Sequence, residues 1–510
     1  MEQSTGLSGD DIAAGWRNRL EGIRFSAAFP ALVSALAALA VYAVTLGGTF
    51  VFDDDILHFD PRYGDPSTWW RFWVDQYWPQ GIDNLYRPLS CLTLAIQYKL
   101  HGDVAWPYHL VNWLLHAAVA AAGAELARRI ISRGAAWIVG LLFAVHPVHV
   151  EVVAAVVGRL DLLSTLFLLI ALIAFLRPMT AWRIAAICIL FLASAFSKEQ
   201  GLTLPALLLA MTPLRGKIVG LTSDNREGDQ RRLKYLAACL CLLLAAYIIY
   251  RESILRFWWP RSLMHWTSNP LVRSVGIDRW LMPVELLGRY VGLLIAPLHL
   301  SVDYGTLVIG PEVHYRQPWV YLGFAAIASL AALLLISLRR RWWLMLFLVV
   351  GFAVPYLLIG NVLTLIGTIF GERLMYLPSL FFLMIVAVFL IRIPRRLIVA
   401  VVFALGVFQS VTYARFWNDP LKLYAVMLRH TTRSMVLYEL ACEQYRLRDD
   451  SSGAQRTAHA CVENLPDIWD SYALCVDVDM KLHEYDDAIK YAELGVMRFP
   501  NEMEMKRRRF

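Results

Sequence analysis

The side chains able to do chemistry stand in short groups at the edges of long apolar runs. Val51-Phe52-Asp53-Asp54-Asp55 follows the first run, and His146-Pro147-Val148-His149-Val150-Glu151 and Gly158-Arg159-Leu160-Asp161 stand about ninety residues later. Lys198-Glu199-Gln200-Gly201 and Gly371-Glu372-Arg373 border later runs. A charge at a bilayer centre costs roughly 2.5–3.5 kcal/mol on insertion scales, so acids, bases and imidazoles set repeatedly at membrane boundaries point to a site. Three consecutive carboxylates supply one base with neighbours that raise its pKa. Such a base within hydrogen-bond reach activates a hydroxyl, which is a poor nucleophile unaided; Asp53 is the candidate base, with Asp54 orienting it or the acceptor. Arg87, Arg159, Lys198 and Arg373 are the candidate clamps for an anionic group such as phosphate, with Glu199 and Glu372 beside two of them.

Each group also has a plain structural alternative. Asp53–Asp55 could be a solvated stop after the first span. His146 and His149 could bond backbone carbonyls, position an acceptor together with Glu151 and Asp161, or hold a divalent ion with Glu151; the His-x-x-His-x-Glu spacing is weak for a metal, and none is favoured. Lys198-Glu199 and Glu372-Arg373 could be adjacent ion pairs. His109, Asn112 and His116 share a helical face, which predicts hydrogen bonding between helices. The seven cysteines show no metal-ligand spacing, and Cys91, Cys188, Cys239 and Cys241 read as small core residues.

The elements that must position these groups are membrane helices. Apolar residues make up 58% of the chain and charged residues 17%, against about 25% charged in soluble domains, and the mean hydropathy is +0.50. The net charge of +7 comes from short Lys/Arg clusters between apolar runs, a topology signal and not a nucleic-acid footprint. The polar first twenty residues lack a secretory signal pattern, so residues 1–26 are expected to be a cytoplasmic N-terminal segment. Apolar runs lie near 27–47, 108–127, 135–150, 152–176, 181–197, 200–214, 235–254, 281–298, 319–338, 342–360, 374–391 and 397–413. The basic clusters share the cytoplasmic side if 281–298 does not cross. About eleven crossings result, with large external loops at 48–107 and 255–318, an external C-terminus, and all the polar motifs on the external face. In the first loop Asp65 and Pro66 predict a helix start, and Trp69, Trp70 and Trp73 predict a helix lying flat on the lipid surface or walling a groove.

From about 419 the chain turns polar. Tyr438, Ala454, Ala458 and Pro466 recur thirty-four residues on as Tyr472, Ala488, Ala492 and Pro500, the period of a helix–turn–helix solenoid repeat. Two helical hairpins, 435–466 and 469–500, are predicted within an external domain over 419–510. Cys442 and Cys461 are expected to lie close enough in one hairpin for a disulfide.

Together the motifs resemble a family. Phe50-Val51-Phe52-Asp53-Asp54, Tyr86-Arg87-Pro88-Leu89, Tyr108-His109-Leu110-Val111-Asn112, Leu142 through Glu151 with Val157-Gly158-Arg159, Lys198-Glu199-Gln200-Gly201 and Glu372-Arg373-Leu374-Met375-Tyr376-Leu377-Pro378-Ser379 look, in this order, like the transmembrane and tetratricopeptide-repeat O-mannosyltransferases. The resemblance implies an all-α fold: a polytopic C-type glycosyltransferase bundle over 27–418 followed by two tetratricopeptide-like hairpins. It implies transfer of a sugar, mannose in the family, from a polyprenyl-phosphate donor to protein Ser/Thr hydroxyls on the non-cytosolic face. Displacement assisted by one carboxylate would invert the sugar carbon through an oxocarbenium-like state. Two repeats are few for the family. That brevity suggests a bacterial inner-membrane member using an undecaprenyl-phosphate sugar, or a dolichyl one if the membrane is that of the endoplasmic reticulum. The expected partners are the lipid-linked donor, membrane lipids and a protein bound through the repeats, with no nucleic acid. Two rivals differ in class. A transporter would show an inverted repeat of broken spans, which is absent; a catalytically silent scaffold would use the repeats to bind a partner complex.

Overall fold

Apolar runs in a bilayer must satisfy their backbone polar groups internally, which leaves the helix as the simplest solution. The computed structural model describes residues 27–78, 85–220, 223–255, 269–304, 309–310, 317–393 and 396–500, and among these every regular element is helical. The expected N-terminal segment over 1–26 and, within the expected second loop, residues 256–268, 305–308 and 311–316 lie outside the described residues.

Seven helices among the described residues are long and apolar enough to cross a membrane: Phe29–Gly47, Trp106–Ile130, Val156–Phe175, Asn225–Leu255, Pro318–Arg339, Glu372–Leu390 and Arg396–Phe416. The chain is an integral membrane protein. An eighth candidate is a broken pair, Arg133–Ala144 and Pro147–Ala154, bent by 52°. The expected run 135–150 is therefore not one straight helix. Pro147 lacks a backbone N–H and disfavours helical geometry at His146, so the helix stops there. Ala181–Ser197 and Trp343–Ile359 are shorter apolar helices. Leu204–Ile218 has 15 residues, a rise of only about 22 Å. Reaching eleven crossings means counting all three.

The turns that carry the polar motifs share one design. Phe52–Asp55, Pro147–His149, Val156–Gly158, Glu199–Thr203 and Glu372–Met375 are 3₁₀ turns, each running straight into an α-helix. Tight i→i+3 turns are a common way to open a helix. Two glycines permit the crowding: a side chain on Gly158 would strike the Val152 carbonyl, and one on Gly201 would strike the backbone of Ser194. As a result Arg159–Phe175, Leu204–Ile218 and Tyr376–Leu390 all start at the same end of the bundle. At the far end of the first two, Arg215 donates to the carbonyls of Phe175 (2.7 Å) and Arg177 (2.8 Å) and pairs with Asp229 at 2.5 Å.

In the first long loop Asp65 caps as expected, accepting from Ser67 N at 2.9 Å, but Pro66–Trp73 is a 3₁₀ helix and not an α-helix. Trp70 is exposed and Phe72 is buried. The segment 281–298 forms the amphipathic helix Asp278–Ile295, which packs along Pro318–Arg339.

The tail holds two hairpins, Met435–Leu447 with Ser451–Asn464 and Trp469–Lys481 with Tyr485–Arg498. Every boundary of the second lies thirty-four residues after its counterpart. Asp449 and His483, also thirty-four apart, both adopt left-handed φ (57° and 64°). They close the same helix end: Asp450 N donates to Tyr445 O and Glu484 N to Asp479 O, a Schellman-type stop. The expected Cys442–Cys461 disulfide does not form. Cys442 Sγ faces the Ala454 carbonyl at 3.5 Å, whereas Cys461 packs on Met435 and Tyr438, and every cysteine is a free thiol. In an antiparallel hairpin joined at Asp449, residue 442 stands opposite the mid-450s, and Cys461 lies further from the turn.

Candidate active site

Asp53, Arg87, Glu151, Asp161, Lys198, Glu199 and Arg373 line one cavity of about 790 Å³. They come from five separate segments. Arg373 Nη1 pairs with Asp53 Oδ2 at 2.8 Å and with Glu151 Oε1 at 3.3 Å, and its backbone N–H donates to Glu151 Oε2 at 2.9 Å. Lys198 Nζ lies 2.6 Å from both carboxylate oxygens of Asp161. Arg87 grips Glu199 through Nη2 at 2.9 Å and Nε at 3.1 Å. The adjacent pairs Lys198-Glu199 and Glu372-Arg373 that the sequence left open therefore do not form. Each cation reaches across the cavity to a carboxylate from another segment.

Phe52 controls how the acids are presented. Its φ of 60° is rare for an aromatic residue and costs roughly 1–3 kcal/mol of backbone strain. The twist sends Asp53 into the cavity and Asp54 into the protein. Asp54 is fully buried, accepting from Val51 N at 3.1 Å and Val157 N at 2.9 Å. Burial pushes its carboxyl up to about 7, against the pull of the backbone N–H donors. Asp54 thus ties the Asp53 turn to the Val156–Gly158 turn and does not line the cavity. Burial also draws Lys198 below the usual lysine range, opposed by Asp161. Burial would raise Glu199, but Arg87 more than offsets it and holds the carboxyl below its ordinary value.

Four other candidates stand off the cavity. Arg159 is buried, donating to Asn112 Oδ1 at 3.1 Å and to the Tyr108 carbonyl at 3.2 Å; its guanidinium braces two helices and does not line the cavity. His146 Nε2 meets the Leu294 carbonyl at 3.1 Å, and His149 lies 2.9 Å from both the Phe143 carbonyl and Ser379 Oγ. Glu372 points away from Arg373, accepting from Ser301 N and the Tyr304 hydroxyl at 2.7 Å each. Asn112 and His116 bond across helices, to Ala155 O and to Tyr376 Oη respectively, both at 2.8 Å. Among the described residues no three His, Cys, Asp or Glu side chains gather as a metal site.

The cavity also takes in residues that the motifs did not flag. Tyr247, Arg251 and Glu252 come from the end of the Ser223–Leu255 helix, and Asp303 from the loop after Asp278–Ile295. Arg251-Glu252 carries the signal used elsewhere, charges directly after an apolar run. Asp303 has no such signal. The wall also includes the irregular, mostly apolar stretch Leu363 to Thr368, beside Leu358 and Ile359 at the end of the Trp343–Ile359 helix.

No family model matches the chain, and no solved structure matches it. Curated proteins do. The chain is 34% identical over 295 residues to the human Protein O-mannosyl-transferase TMTC2, an alignment covering 54% of this chain and 35% of that protein. It is 30% identical over 304 residues to Protein O-mannosyl-transferase Tmtc2 of Drosophila melanogaster (54% and 30%), and 28% identical over 387 residues to Protein O-mannosyl-transferase TMTC3 of Mus musculus (70% and 41%). The chain thus spans well under half the length of these relatives. The resemblance carried by the motifs is a true sequence relationship to proteins named protein O-mannosyl-transferases.

Proposed function

We propose that the chain is a membrane glycosyltransferase that moves a sugar, mannose by analogy with its relatives' names, from a polyprenyl-phosphate donor to a protein Ser or Thr hydroxyl, with inversion. The observation carrying this reading is the Asp53–Arg373 pair at the wall of a cavity that also holds Arg87 and Lys198. It sets a carboxylate beside a group of cations, the arrangement that hydroxyl attack with loss of phosphate requires. Asp53 takes the hydroxyl proton, the oxygen bonds to the anomeric carbon, and the bond from that carbon to the phosphate oxygen breaks. The phosphate leaves with the electron pair. Arg373, Lys198 and Arg87 receive that charge, and their partner carboxylates fix them in place before the donor arrives, which avoids reorganisation during reaction.

Two further features support this. The Arg159–Phe175, Leu204–Ile218 and Tyr376–Leu390 helices open at the cavity end, and helix N-termini favour anions. The apolar wall from Leu358 to Ile366 suits a polyprenyl chain next to the charged end. In a bacterial inner membrane the donor would be an undecaprenyl-phosphate sugar, with the cavity and the repeats on the periplasmic side. The deciding experiment supplies the purified protein with polyprenyl-phosphate mannose and a Ser/Thr peptide. Asp53→Asn is expected to slow transfer by about 10²–10⁴-fold, and the product anomer to be inverted relative to the donor. A variant within tenfold of wild type, or a retained anomer, would falsify the assignment of Asp53 as base.

A further inference from the structure

Glu372 is a fully buried carboxyl that the transfer chemistry leaves unused. It sits in the Glu372–Met375 turn, next to Arg373. Three contacts pin the backbone of that turn to the membrane bundle. Gly371 N donates to Tyr290 Oη at 3.2 Å, Arg373 N to Glu151 Oε2 at 2.9 Å, and Gln200 Nε2 to the Leu374 carbonyl at 3.1 Å. A fourth contact is the Glu372 side chain. Its Oε1 takes Ser301 N and the Tyr304 hydroxyl, each at 2.7 Å, while its Oε2 has no hydrogen-bond partner. An apolar side chain would fill this space at lower cost; what the acid adds is a directed link.

One end of the link sets the aim of Arg373. A 3₁₀ turn places neighbouring side chains about 120° apart. Fixing Glu372 on Ser301 therefore fixes where Arg373 points, to Asp53 at 2.8 Å and Glu151 at 3.3 Å. The other end reaches the repeats. Ser301 Oγ donates to the Asp303 carbonyl at 2.9 Å, Val302 N to Met427 Sδ at 3.4 Å, and Ser434 Oγ to Asp303 Oδ2 at 2.5 Å. Met427 belongs to the Pro420–His430 helix that leads into the repeats, and Ser434 caps their first helix, Met435–Leu447. Tyr304 also packs edge-on against Phe370, two residues before Glu372, with ring centroids 4.9 Å apart. Residues 301–304 thus form a strap from the repeats to the Arg373 turn, and Val302 and Asp303 wall the cavity on the way.

We propose that Glu372 is a positioning residue for transfer: it holds the 301–304 strap to the Arg373 turn, so that the aim of Arg373 at the departing phosphate depends on how the repeats are seated. This rests on the transferase reading above. Glu372 lies off the cavity and acts through Arg373, whereas the other three pins lead back into the membrane bundle and carry no such connection to the repeats.

The test uses the full chain in lipid nanodiscs with polyprenyl-phosphate mannose and a Thr peptide, transfer being read by product mass and folding by thermal melting of the same samples. Glu372→Ala is expected to lower kcat about 10–100-fold, the effect of displacing a reacting group by about 1 Å. Glu372→Gln keeps an oxygen for both donors and is expected to recover most of that loss. In an Arg373→Ala background, Glu372→Ala is expected to change kcat by less than about threefold, because residues acting as one unit are not additive. A merely structural role would cost the same in both backgrounds. Tyr304→Phe, which removes one donor and keeps the ring, carries the same comparison should Glu372→Ala fold poorly. Ser434→Gly breaks the strap's outer link while keeping a tolerated helix cap, and is expected to slow transfer about three- to tenfold, again only with Arg373 present. Equal losses in both backgrounds, or Glu372→Gln as slow as Glu372→Ala, overturn the positioning role and leave the transferase reading intact. Ser434→Gly transferring like wild type overturns the dependence on the repeats. A wild type that transfers no mannose removes the transferase reading and this inference with it.

Discussion

Two clusters of buried ion pairs sit at opposite ends of the same helices, and they differ in how completely they are closed. At one end Arg215 and Asp229 are almost wholly enclosed, with side chains 3% and 5% exposed. Arg215 also donates to two carbonyls, and Asp229 accepts from Met179 N at 2.6 Å. Nothing in that clamp faces open space. At the other end Asp53 is 27% exposed and Arg373 22%, and two carboxylates share one guanidinium nitrogen beside a large cavity. The residue types match; the saturation does not. An enclosed pair with its hydrogen bonds satisfied holds helices together, whereas cations poised over a void remain able to meet a ligand.

The comparison breaks most visibly at Arg373. Arg373→Ala is expected to lower transfer by about 10²–10³-fold, the usual cost of losing a charge-stabilising contact, with little change in thermal melting because the pair is partly solvated. A variant that melts early yet transfers normally per folded molecule would turn this cluster into a second clamp. At the clamp the pattern should invert. Asp229→Ala leaves a buried guanidinium without its carboxylate and is expected to cost about 3–5 kcal/mol of stability. The donor KM of the folded enzyme should stay unchanged, as read by melting and steady-state kinetics on the same samples. Arg159→Met sharpens the contrast within the site region itself. It is expected to cost about 1–3 kcal/mol by stranding Asn112 and the Tyr108 carbonyl, again without weakening donor binding.

Asp54 gives the subtlest effect, one of pH. Its native carboxyl keeps a proton up to about 7, whereas an unfolded aspartate releases it near ~3.9. Between these values the native state binds more protons. Stability is therefore fully present below pH about 4 and is lost as pH rises toward about 7, by at most about 1.4 kcal/mol per pH unit. Melting curves across that range should show the slope in wild type and a flatter one in Asp54→Asn. A slope unaltered by the substitution would assign the dependence to another group.

The sequence by itself determined the class of fold, because runs of about twenty apolar residues have only one economical structure in lipid. It determined the repeat as well, since a thirty-four-residue recurrence demands equal hairpins, down to the matched turns at Asp449 and His483. It also marked residues that the fold gathers at one cavity: charges beside apolar runs are costly enough to single out Asp53, Lys198 and Arg373. It could not assign partners. Lys198 beside Glu199 reads as a pair, yet successive side chains on the turn diverge, and each found its counterion on a segment 37 or 112 residues away. Arg159 reads like Arg373, but only packing decided that one braces Asn112 while the other meets Asp53 from 320 residues away. Asp303, with no motif around it, joined the cavity because a loop folded back against the repeats. Contacts across such distances depend on how helices pack, and that is a property of the whole chain.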